Sequence, residues 1–232
     1  MAYGSRQPSE KMEVSAEKVS STLKVLKSAL ERFGADNIAV SFNGGKDACV
    51  LLHLLQQVLQ SHTNAQPKGI LCIYFEHEDH FPEAEEFVER CKADFSLTLV
   101  RLPMPYHEGL RLLLEKHPNI SAVLMGTRRT DPYAENLNPF SPCTPPYPPL
   151  CRVLPLLEWT YSEIWAYILT HGVRYCKLYD MGYSSLGLRG KTSPNPALVD
   201  ENGTCHPAYL LLEEHTERHG RTCNLSAEAN SL

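Results

Sequence analysis

The sequence predicts a Rossmann-like α/β domain, a parallel sheet flanked by helices, with an irregular C-terminal part. Three observations carry that prediction. Short apolar runs alternate with helical patterns of about 10–15 residues between residues 38 and 125, the rhythm of right-handed βαβ units. The first apolar run ends in Asn43-Gly44-Gly45, a glycine turn leading straight into a helix. A chain of 232 residues, 43% hydrophobic, is also enough to close one core.

Taken in order, residues 1–14 are polar and read as a flexible lead-in, 15–221 as the domain and 222–232 as a flexible tail. Val19, Leu23, Leu26, Leu30 and Phe33 recur at helical spacing, and Gly34 is placed to cap that helix. Residues 38–42 form the first strand, and 48–60 the helix after the turn. Strand, helix, strand, helix and strand follow at 69–75, 82–93, 96–102, 107–116 and 120–125, with Pro82 suited to a first helical turn. Residues 131–152 hold seven prolines, among them Pro132, Pro139 and Pro142, and read as a long functional loop. Thr160 and Glu163 fit a capping box opening a helix through Ile164, Trp165 and Ile168. Trp159 and Trp165 read as core residues of that region. Residues 180–208 are irregular, and 210–218 fit a last short helix.

A net charge of −5 gives no general pull toward nucleic acid or an anionic membrane. Any phosphate site must be local, made from a few cations and backbone N–H groups. No apolar run is long enough to span a bilayer, and the N-terminus lacks an apolar secretion core, so the cytoplasm is the expected location. The eight cysteines lack C-x-x-C spacing and read as thiols in a reducing compartment, with zinc not expected.

The chemistry concentrates at Ser41-Phe42-Asn43-Gly44-Gly45-Lys46-Asp47. Ligands of α/β sheets bind at such strand ends. Gly44 and Gly45 let the backbone approach an anion, and the following helix adds partial positive charge. Lys46 supplies a mobile cation, and Asp47 could hold Mg²⁺ or cap the helix. This is not a Walker A loop, and the later Gly190-Lys191-Thr192 lacks both the upstream glycine and the strand that motif requires. A second cluster, Gly126-Thr127-Arg128-Arg129-Thr130-Asp131-Pro132, follows the fourth strand, where a guanidinium suits a second phosphate. His77 and His80 read as part of a polar loop rather than as metal ligands.

The S-x-N-G-G-K-D loop resembles the pyrophosphate loop of ATP pyrophosphatases, the superfamily of PAPS reductases and adenine nucleotide alpha hydrolase-like folds. Further motifs follow: Arg152-x-x-Pro155-Leu156-Leu157, Leu178-Tyr179-Asp180, Asn195-Pro196, Pro207-Ala208-Tyr209 and Glu217-Arg218. In this order they resemble the eukaryotic FAD synthase (FMN adenylyltransferase) group over residues 37 to 221. That resemblance implies transfer of AMP from ATP to FMN, giving FAD and pyrophosphate with Mg²⁺, and client flavoproteins as conceivable recipients. It also implies roles. Asn43 and Asp47 match active-site positions, Asp131 the aspartate of the T-D-P turn, and Arg218 an arginine folded back over the site. Ala39 and Gly126 match strand-end positions where backbone meets the nucleotide, Phe75 the strand flanking adenine, and Arg152 the flavin-binding stretch. The chain departs from the group at residues 144–148, where an Asp and a Trp are usual and Thr-Pro-Pro-Tyr-Pro stands instead. Tyr147 could replace the Trp by stacking.

In the mechanism expected, Lys46 and the loop hold the leaving pyrophosphate, Arg128 places the FMN phosphate and Arg218 neutralises charge at the α-phosphate. Two alternatives stand beside it. Another ATP pyrophosphatase is one, but a PAPS reductase needs a C-terminal Cys-Gly and Cys223 precedes Asn224. A thiolase needs C-x-x-C and a basic surface. A catalytically silent nucleotide- or flavin-binding regulator is the other; intact Lys46, Asp47, Asp131 and Arg218 speak against it, the altered 144–148 stretch for it.

Overall fold

The structure is a computed structural model, described over residues 13–62 and 69–222. The predicted alternation holds, with helices α1 (Ala16–Phe33), α2 (Lys46–His62), α3 (Pro82–Asp94) and α4 (Tyr106–Lys116). Between them run β1 (Ile38–Ser41), β2 (Ile70–Phe75), β3 (Leu97–Leu102) and β4 (Ala122–Leu124). Gly34 caps α1 with φ of 81°, its N–H donating to the Leu30 carbonyl at 2.9 Å. Val14, read from sequence as part of the frayed lead-in, packs against the core, and the Thr222 N–H donates to the Lys191 carbonyl. Residues 1–12 and 223–232 of the two predicted flexible ends lie outside the described residues.

Two expectations need correction. The proline-rich stretch 131–152 is not all loop: it contains β5 (Phe140–Pro142) and leads into β6 (Cys151–Val153). β6 pairs parallel to β4, and β5 pairs antiparallel to β6 at the sheet edge, where a proline is tolerated. The predicted helix over 210–218 is also absent. Two 3₁₀ turns, Ala208–Leu210 and Glu214–Thr216, stand there. That segment is shaped by long-range bonds: the Tyr161 hydroxyl donates to the Ala208 carbonyl, and the Glu214 carboxylate accepts from the Tyr161 and Ser162 N–H groups. A carboxylate there also suits the positive N-terminus of α5 (Tyr161–His171), which opens with the predicted Thr160–Glu163 capping box.

The six strands lie in the order β3-β2-β1-β4-β6-β5. The chain first builds outward from β1 through β2 to β3, then returns to place β4 on the other side of β1. This creates a switch point at the C-terminal ends of β1 and β4, where a crevice opens. Both faces of the sheet are covered. Val40, Cys72, Leu124 and Val153 pack with α1, α2, α3 and α5, where Trp165 is fully buried. Ala39, Ile73 and Val123 pack on the opposite side with Leu110 and Leu113 of α4. The seven described cysteines are free thiols, and Cys223 lies outside the described residues.

Candidate active site

A cavity of about 420 Å³ opens at that switch point. Its wall includes Ser41, Asn43, Gly45, Lys46 and Asp47 from the first loop, and Phe75 from the end of β2. Gly126 and Asp131 come from the end of β4, and Glu217 and Arg218 from the C-terminal segment.

The loop folds as its residues dictate. Gly44 has φ of +74°, a left-handed conformation that favours glycine, and a Cβ there would lie 3.0 Å from a Val88 methyl. The Asn43 Oδ1 accepts from the Gly45 N–H at 2.9 Å, closing an Asx turn. The Lys46 N–H donates to the Tyr179 hydroxyl at 3.0 Å. α2 begins at Lys46, two residues earlier than the sequence pattern suggests, so Asp47 sits in its first turn.

The charges form a buried lattice. Lys46 is 2% exposed, and its Nζ lies 3.1 Å from Asp47 Oδ2 and 2.5 Å from Glu217 Oε1, with the Tyr161 ring at 5.0 Å. Arg128 is 1% exposed; its Nε approaches Asp47 Oδ1 at 2.7 Å, an ion-pair contact out of line for a hydrogen bond. Its other end donates to Glu217 Oε2 at 2.5 Å. Asp131 accepts the Arg128 backbone N–H at 2.8 Å on one oxygen and the Arg218 guanidinium at 3.2 Å on the other. Burial alone would raise the Asp47 pKa, but the charges of Arg128 and Lys46 outweigh it and hold the carboxyl below its ordinary value. Arg128 is stabilised as a cation by Asp47 and Glu217 despite its burial.

Three sequence expectations change here. Lys46 is not a mobile cation but a caged one. Arg128 does not line the cavity; its guanidinium is held behind the loop by Asp47 and Glu217, so it has no free fork for a phosphate. Asp47 is not placed as a ready metal ligand, because both its oxygens face cations. Among the described residues no group of three or more His, Cys, Asp or Glu is arranged to hold a metal.

Gly126 is required for a close approach. A Cβ there would stand 3.1 Å from the Asp47 carbonyl carbon and the Ala48 nitrogen, where β4 meets the start of α2. The opposite end of the cavity is aromatic. Phe75 stacks on Tyr106 at 4.1 Å and 25°, and the Tyr106 hydroxyl reaches Ser41 Oγ at 3.3 Å. Tyr147 stands edge-on to Tyr106 at 6.2 Å, outside the cavity wall. Arg152 also lies off the wall, donating to the Pro142 carbonyl at 3.2 Å. Ala39 is in the middle of β1 rather than at its end, fully buried and paired with Val123.

Sequence reasoning missed Glu217, Tyr106, Tyr179 and His80 as parts of the wall. Glu217 had a signal, its place beside Arg218. His80 lies in the polar loop between β2 and α3, as its sequence context predicts, and its Nδ1 is 2.7 Å from the Tyr74 hydroxyl at the cavity edge. Trp159 and Trp165 are core, as expected. Gly190-Lys191-Thr192 ends a short 3₁₀ turn and follows no strand.

Comparison with known proteins agrees with this architecture. The phosphoadenosine phosphosulfate reductase domain model matches residues 37–109 and 106–194. A probable FAD synthase of Schizosaccharomyces pombe is 37% identical over 92% of this chain and 82% of its own length. A probable FAD synthase of Caenorhabditis briggsae is 40% identical over 88% of this chain, which spans only 40% of that longer protein. In fold, the chain superposes on Candida glabrata FMN adenylyltransferase in complex with FAD and inorganic pyrophosphate with a TM-score of 0.85 at 23% identity, over 92% of this chain and 93% of that one. With most of the sheet and both site loops inside the matched region, this chain belongs to the FAD synthase family, built on the phosphoadenosine phosphosulfate reductase domain.

Proposed function

We propose that the chain transfers the AMP half of ATP to FMN, giving FAD and pyrophosphate. One observation carries the reading: a chain 37% identical to a named FAD synthase brings Asn43, Lys46, Asp47, Asp131 and Arg218 to a single cavity. FMN's phosphate is largely dianionic at neutral pH, its second pKa lying near ~6, and needs no general base. One of its oxygens bonds to the α-phosphorus of ATP while the bond from that phosphorus to the bridging oxygen breaks, and pyrophosphate leaves with the electron pair.

Catalysis is then positioning and charge neutralisation. The α2 N-terminus receives the pyrophosphate, and Lys46 at the cavity wall and Arg128 behind it fix the loop. Arg218, a wall cation paired with Asp131, neutralises charge at the α-phosphate; its replacement by Ala should slow turnover roughly 10²–10³-fold. The Phe75–Tyr106 stack takes the adenine, and the flavin extends toward Arg152 and Tyr147. The residues do not supply a magnesium cage, since the oxygens of Asp47 and Asp131 are engaged by cations and N–H groups. Mg²⁺ therefore belongs with the ATP phosphates, and no step is assigned to it. Free thiols suit a reducing compartment such as the cytoplasm, from which FAD would pass to client flavoproteins.

The test is to mix purified protein with ATP, Mg²⁺ and FMN and follow FAD by HPLC, with PAPS and riboflavin as controls. FAD with stoichiometric pyrophosphate is expected. Absence of FAD in the presence of ATP binding would overturn the reading.

A further inference from the structure

Glu217 reaches the loop from 171 residues away in sequence and touches both buried cations, Lys46 and Arg128. Asp47 also contacts both, but it belongs to the loop itself; Glu217 is the contribution from outside. The segment that carries it is firmly seated. The Ser184 hydroxyl donates to the Glu217 carbonyl at 2.6 Å, and the fully buried Asn195 amide donates to Ser184 Oγ and to the Thr216 carbonyl, both at 2.8 Å. The next residue is Arg218, held on the cavity wall by Asp131, whose other oxygen caps the Arg128 backbone.

We propose that Glu217 is a positioning residue: by compensating Lys46 and Arg128 together, it seats Arg218 over the pyrophosphate loop. The inference rests on the functional reading above and adds to it a residue that acts through the loop and Arg218. The charges set the sign of its effects. Lys46 and Arg128 are balanced by Asp47 and Glu217. Neutralising Glu217 leaves one positive charge beneath the loop, which favours a bound anion even as Arg218 loses its seat.

The test uses the full chain with Glu217→Gln, Glu217→Asp, Arg218→Ala and the Gln–Ala double variant. Inorganic pyrophosphate binding is read by calorimetry and kcat by FAD formation. Glu217→Gln should bind pyrophosphate at least as tightly as the parent, with kcat lower by about 10²-fold, the scale of a lost electrostatic stabiliser. Adding Arg218→Ala should then cost less than about threefold more, since the two residues act as a unit. Glu217→Asp, which keeps the charge, should recover about tenfold of the loss, and it carries the test if the Gln variant does not fold. Pyrophosphate affinity that falls along with kcat, losses that multiply, or equal losses for Asp and Gln would overturn the proposal. A parent that makes no FAD would sink the functional reading instead. Pyrophosphate affinity would then decide the case for Glu217, with a weaker Gln variant overturning it.

Discussion

The two ends of the cavity are built by opposite means. At the charged end, three cations (Lys46, Arg128 and Arg218) are matched by Asp47, Asp131 and Glu217, drawn from three distant parts of the chain. At the aromatic end, Phe75 and Tyr106 meet face to face with one hydroxyl contact to Ser41. The first arrangement is stiff and intolerant, because removing one ion leaves a largely buried partner without its counter-charge. The second is forgiving, because a ring can be replaced by another apolar group at the cost of contact alone. The cavity thus holds its charges rigidly and its flat surfaces loosely.

Asp47→Asn should break that contrast most severely. Lys46 and Arg128 would share the single charge of Glu217, and loss of one partner from a buried pair costs about 3–5 kcal/mol. Urea unfolding should show this loss with FAD formation near background; a change under about 1 kcal/mol would mean the lattice does not depend on Asp47. Asn195→Ala comes next. It leaves the Ser184 hydroxyl, the Thr216 carbonyl and the Ala197 N–H without this partner. A cost of about 2–3 kcal/mol should appear as faster hydrogen exchange in residues 182–222 before any change in the sheet.

At the aromatic end the effects are smaller. Tyr106→Leu should raise the KM for ATP about three- to tenfold, the equivalent of a ring pair worth about 0.5–1.5 kcal/mol, with kcat within twofold. A larger fall in kcat than in binding would give the ring a part in the chemistry. The smallest effect is in acid. The Asp47 pKa is depressed in the folded chain, so its stabilisation is present above the unfolded value, about 3.9, and is lost as pH falls through the lower folded value. The stability gap between parent and Asp47→Asn should stay constant from about pH 5 to 8 and shrink below about pH 4.

Local chemistry made much of this legible beforehand. The glycine turn after β1, the Thr160–Glu163 box and the strand–helix rhythm each depend on neighbours in sequence, so residue patterns report them. What stayed hidden depends on partners far away. β5 and β6 are three residues each and exist because β4 offers a free edge, a fact that no pattern within a proline-rich stretch reveals. Lys46 reads from sequence as a mobile cation because its cage is assembled from Tyr161, Tyr179 and Glu217. Arg128 looked available for phosphate for the same reason. The 210–218 helix failed because Glu214 leaves its own segment to cap α5.

The span from Lys46 to Glu217 also orders events on the ribosome. Chains emerge N-terminus first, at about 5–20 residues per second. The loop, α2 and the switch point of the sheet are all synthesised well before Glu217. Until it arrives, the one carboxylate that Lys46 and Arg128 share is Asp47. Completion of the lattice is therefore a late step of synthesis, and a chain stopped short of residue 217 should lack the counter-charge that closes the charged end of the cavity.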